Sequence, residues 1–151
     1  MAASATAGHA LPWAPASVPL GAALPWDAGL FALHAAGTLA GFAVLSTKHG
    51  LGVLRAAGDM EGEARAEGMT PAAMERMVRG SEGPRTMRIL GETVHAITEQ
   101  GARTMVLVAR GLRLGVVVAE TPLGWVVATF RDKRPQLVVP QVERCLDAIR
   151  R

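Results

Sequence analysis

The side chains that could do chemistry are few and far apart. The chain has four histidines (His9, His34, His49 and His95), a single cysteine (Cys145) and serines at positions 4, 17, 46 and 81. A nucleophilic serine is marked by a base held beside it or by the GxSxG turn that exposes its hydroxyl, and none of the four has that turn. Cys145 shares an apolar helical stripe with Val142, Leu146 and Ile149, a packing position rather than the electropositive setting that makes a thiolate. The histidines lack HxxxH or HxH spacing, and one cysteine rules out a mostly cysteine zinc site, so no metal is expected. Gly50-Leu51-Gly52 lacks the third glycine of a dinucleotide fingerprint and runs into a strand pattern, so no nucleotide or other cofactor is expected. These residues point away from an enzyme.

Charge is the remaining resource. Lys and Arg number 16 against 13 Asp and Glu, a formal charge of +3, but acids are interleaved with the bases throughout, which argues against a nucleic-acid partner. Arg131, Lys133 and Arg134 form a basic loop before the last helix, a solvated turn or a contact for an acidic protein surface.

The elements that must position these residues begin after a distinct first segment. Residues 1–26 carry Pro12, Pro15, Pro19 and Pro25 and no charge, so they hold neither a helix nor a central strand and read as an extended arm. Ala-Leu-Pro-Trp occurs twice there, ending on Trp13 and Trp26, and two tryptophans without a core of their own suggest an anchoring peptide for a protein partner. The arm lacks the basic start of a secretory signal and the arginines of a transit peptide. From residue 28 to 47 there is again no charge, and Gly37 and Gly41 make a GxxxG. Three glycines, His34 and marginal length favour a helix over 27–36, capped by Asp27, then a buried strand 39–46, instead of a membrane span.

A turn at 47–50 and a returning strand 51–55 follow, then an acidic, glycine-punctuated stretch 58–68 read as a solvated loop. Thr70 and Pro71 open a short amphipathic helix with Met74, Met77 and Val78 on one face and Gly80 as its stop. Strands are expected over 85–90, 93–98, 103–110, 114–120 and 124–130, their short gaps implying antiparallel neighbours. The last helix is expected from Pro140 to Arg150.

The order helix, two strands, short helix, five strands, helix resembles the profilin family from about Asp27 to Arg150. Met69-Thr70-Pro71 with Glu75 resembles the start of that family's second helix, and Ile89-Leu90-Gly91-Glu92 its strand-turn region. Leu114 to Thr121 and Trp125 to Phe130 resemble a profilin strand pair, and Pro140 to Leu146 the start of the C-terminal helix. Divergent testis-type profilins are the nearest in pattern. The resemblance implies an α+β fold, an antiparallel sheet flanked by N- and C-terminal helices, and a non-enzymatic protein-binding component of a cytoplasmic cytoskeletal assembly, ciliary ones included.

Actin-monomer binding is the alternative the resemblance implies, with Arg110, Arg113 and Arg131 as the nearest substitutes for the family's basic actin-facing set. Glu120 departs from it, standing where the family usually has Lys. Profilins hold proline-rich ligands with aromatics on their terminal helices. This chain has no Tyr and no aromatic beyond Phe130, and Trp26 and Phe31 supply at most half of such a groove, which argues against that ligand. A roadblock-type dimerisation module is a further alternative, although the helix at 70–80 is short for it.

Overall fold

A computed structural model describes residues 27–46, 52–63, 71–79, 85–98 and 104–150. The elements in chain order are α1 (Ala28–Ala35), β1 (Gly41–Ser46), β2 (Val53–Gly58), α2 (Met60–Glu63), α3 (Pro71–Arg79), β3 (Thr86–Ile89), β4 (Glu92–Ala96), β5 (Thr104–Val108), a 3-10 turn (Arg110–Leu112), β6 (Gly115–Thr121), β7 (Gly124–Phe130) and α4 (Pro135–Arg150). The seven strands form one curled antiparallel sheet in the order β2-β1-β7-β6-β5-β4-β3. Strands β3 to β7 follow one another as a meander, and the β1–β2 hairpin is added against β7.

The central strands read as unbroken apolar runs because both faces of the sheet are covered. On one face α1 and α4 bury Leu30, Val138, Val142, Leu146 and Ile149 against Phe42, Val44, Val117, Val126 and Phe130. On the other, α2 and α3 contribute Met60 and Met74 to a cluster with Leu45, Leu107, Val116, Val118 and Trp125. All of β1 and β7 is buried as a result.

Five expectations need correction. Asp27 precedes α1, but its side chain makes no cap; its carboxylate is turned inward to Arg55 of β2, because a guanidinium inside a core requires an anionic acceptor. The stretch expected as a solvated loop contains α2, whose Met60 is fully buried. The last helix begins at Pro135, with Pro140 inside it. Pro135 suits a first helical position, and the added turn buries Val138, which offsets the backbone donor lost at Pro140; Gln141 Nε2 donates to Leu137 O at 2.8 Å beside that break. Cys145 is half-buried rather than deep in the core, lying against α1 where a Cβ on Gly29 would come within 2.8 Å of its Sγ. The returning strand is also displaced, from 51–55 to Val53–Gly58. Thr70 and the arm with its two tryptophans lie outside the described residues.

The charge-free stretch divides into α1 and β1, and no helix among the described residues is long and apolar enough to cross a membrane. The complete seven-stranded sheet with a nine-residue α3 departs from the roadblock alternative.

Candidate protein-binding site

Strand register gathers the basic side chains. Gly115 at the start of β6 pairs with Phe130 at the end of β7, so the β5–β6 turn and the β7–α4 connection leave the sheet at the same end. A Cβ at position 115 would fall 2.2 Å from Phe130 Cζ; only glycine lets the ring lie on that backbone and holds the two segments in register. Arg110 and Arg113 come from the turn, and Arg131, Lys133 and Arg134 from the connection; all five are exposed. The turn is tight: Ala109 N–H donates to Leu114 O at 2.8 Å, Leu112 N–H to Ala109 O at 3.1 Å, and both Gly111 and Leu112 have positive φ (71° and 58°).

Carboxylates subdivide this end. Arg131 Nε donates to Asp59 Oδ2 at 2.8 Å, and Arg113 Nη2 to Glu92 Oε1 at 3.0 Å. Asp59, Glu61 and Glu63 make the α2 side acidic, and Glu63 Oε2 accepts the Leu90 N–H at 2.8 Å, tying α2 to the β3–β4 hairpin. Arg131, Lys133 and Arg134 therefore lead into α4, while Arg131 reaches Asp59 beside α2 and Arg113 reaches Glu92 of the β3–β4 hairpin. Two large apolar side chains are exposed on that same end, Leu112 at 40% and Leu137 at 65%.

The other candidate residues are elsewhere. Phe31 is half-buried on α1, edge-on to Phe42 with ring centroids 4.9 Å apart, and the Arg55 guanidinium lies 5.3 Å from its ring centroid. That guanidinium donates from Nε to Asp27 Oδ2 at 2.7 Å, with the two side chains 1% and 0% exposed. Trp13 and Trp26 lie outside the described residues. Burial pushes the Cys145 thiol above its ordinary pKa, with Arg144 pulling weakly the other way. No cluster of three or more metal-ligating side chains occurs among the described residues. Sequence reading found the five basic residues but missed Leu112, Leu137 and the carboxylates Asp59 and Glu92, whose roles depend on register and backbone conformation.

No protein-family model matches this chain, and no curated protein matches it in sequence. Its fold does have counterparts among solved structures. It is similar to the profilin in the crystal structure of a LokiProfilin1/rabbit actin complex, with a TM-score of 0.58 at 13% identity over 81% of this chain and 91% of that one. It is similar also to the profilin of a LokiProfilin2/rabbit actin complex, with a TM-score of 0.62 at 9% identity over 83% of this chain and 96% of that one. At such identities the likeness is one of architecture, and the chain has the profilin fold.

Proposed function

We propose that this chain is a non-enzymatic, profilin-like protein-binding component of a cytoplasmic cytoskeletal assembly, docking through the basic end of its sheet. The observation that carries this reading is the pairing of Gly115 with Phe130, which brings Arg110 and Arg113 to the same sheet end as Arg131, Lys133 and Arg134. Five cations from two segments suit an acidic protein surface, where they would raise the association rate and set orientation more than they would add raw affinity. Actin is the specific partner favoured by the two structural neighbours, both profilins in complexes with actin. The narrower likeness to testis-type members, and with it a ciliary assembly, rests on sequence motifs alone. In this reading the arm of residues 1–26 adds a second contact through Trp13 and Trp26.

The test is a titration of monomeric actin with the full chain, following actin polymerisation and association kinetics at two salt concentrations. Binding should slow as salt rises, and the Arg110→Glu, Lys133→Glu double variant should slow it further without changing the melting temperature. Absence of binding, or binding indifferent to both salt and charge reversal, would reject actin docking at this end. The Trp13→Ala, Trp26→Ala variant should weaken binding while leaving thermal stability unchanged; loss of the fold instead would make the arm part of the core.

A further inference from the structure

We infer that Leu112 is the apolar anchor of this docking surface, with Leu137 a second apolar contact at the same sheet end, and that the partner presents an apolar pocket bordered by acidic groups; the inference rests on the docking reading above. Two independent costs converge on Leu112. Its φ of 58° lies in the left-handed region that favours glycine, and its side chain is 40% exposed. Leu90 shows what such a residue looks like when the fold uses it. It has nearly the same backbone angle, 52°, yet its side chain packs against the core cluster of Met74, Ile89 and Val94, so burial offsets the strain. Leu112 belongs to neither core cluster. A glycine would hold the turn more cheaply and a polar residue would be better solvated, so folding gives no reason for leucine here. Backbone strain of this kind persists at sites where a side chain must be presented to something else.

Its neighbours specify the partner. Among the described residues the large exposed apolar side chains are Leu112, Leu137 and Ile97. The first two share the sheet end that carries Arg110, Arg113, Arg131, Lys133 and Arg134, whereas the Ile97 N–H pairs with Val106 O inside the sheet. Exposed apolar side chains sharing a sheet end with cations suit the usual anatomy of a protein interface, a small apolar centre and a charged rim, and the sign of the rim selects an acidic counterpart. Asp59 and Glu92 compete with that counterpart for Arg131 and Arg113.

The experiment uses the full chain, with monomeric actin as the probe. Leu112→Gly should raise the melting temperature or leave it unchanged, because it relieves the strained backbone, and should lower actin affinity about tenfold, as truncation of an interface hot spot does. Leu112→Met, which keeps an apolar side chain, should retain most of the affinity. Leu137→Ser should weaken binding as well, and Ile97→Ser should leave it unchanged. If the unmodified chain fails to bind actin, both this inference and the docking reading fall. If it binds in a salt-dependent manner and Leu112→Gly binds equally well, the docking reading stands and the anchor assignment is overturned. A fall in melting temperature for Leu112→Gly would overturn it too, by showing that the side chain serves the fold.

Discussion

The molecule contains two kinds of carboxylate–guanidinium contact, and they differ in what surrounds them. Asp27 and Arg55 meet at 2.7 Å beneath α1, both out of solvent, with the Phe31 ring against the guanidinium. Arg131 and Asp59 meet at nearly the same distance, 2.8 Å, at the sheet end, with side chains 41% and 35% exposed. Distance alone would rank them as equals. Dielectric surroundings do not: charges inside the core must be satisfied by each other, whereas water and salt share the work at the surface. The buried pair belongs to the architecture, pinning α1 to β2. The exposed pair is weak enough to be exchanged for a partner's carboxylate, which is what a docking surface requires.

The comparison breaks most sharply at Asp27. Asp27→Asn removes the negative charge that the buried Arg55 Nε faces at 2.7 Å and should cost about 3–5 kcal/mol of unfolding free energy by denaturant titration. Replacing both members, Asp27→Leu with Arg55→Leu, should cost far less than the single change; an equal or larger loss would mean that the pair's attraction, and not the desolvation of the guanidinium, is the main effect. Next in size is Gly115→Ala, where the new methyl must displace the Phe130 ring from 2.2 Å. Overpacking of this kind should cost roughly 1–3 kcal/mol and loosen the register that assembles the basic end, so actin binding should fall together with stability.

At the exposed pair, Asp59→Asn should change stability by less than about 1 kcal/mol. Because it frees Arg131 for an acidic partner, it should strengthen binding or leave it unchanged; weaker binding would place Asp59 itself in the contact. The smallest effect belongs to Cys145. Burial raises its pKa, so the folded chain favours the neutral thiol. That contribution is fully present below the unfolded thiol's pKa and is lost as pH rises through the folded value, so it affects stability only on the alkaline side. Alkylation of the native chain should be slower than that of the unfolded chain across about pH 7 to 9, and equal rates would contradict the packing against α1.

Much of this architecture was legible in the residues. Val-rich runs marked β5 to β7, the turn at Gly91 separated β3 from β4, and β7 has the bounds its composition implies, Gly124 to Phe130. Helix α3 followed from Pro71 and the spacing of Met74, Met77 and Val78, because amphipathic period is a local property. The Asp27–Arg55 pair was not legible, since no periodicity links residues 28 apart. Its one trace was a lone charge in the first 47 residues and an arginine inside the apolar run Val53 to Ala57. Helix α2 was hidden because acids and a glycine surround its buried Met60. At the site, the basic loop was visible as composition, but its convergence with Arg110 and Arg113 depends on the Gly115–Phe130 register, and the exposure of Leu112 depends on a backbone angle that residue types do not reveal.

The placement of the β1–β2 hairpin has a consequence in time. Strands β3 to β7 each pair with a chain neighbour, so that part of the sheet can zip up from local turns. The ladder joining β1 to β7 sets Leu45 opposite Trp125 and must close most of the chain into a loop before it forms a single bond. Its closing entropy is met late, when both apolar faces of β7 are already in place to receive it, so the ladder should be largely unformed in the folding transition state. Substitutions in β1 would then speed unfolding and barely alter the folding rate, while those in β6 would slow folding. The order of strands thus makes the β1–β7 ladder the part of the sheet expected to close last.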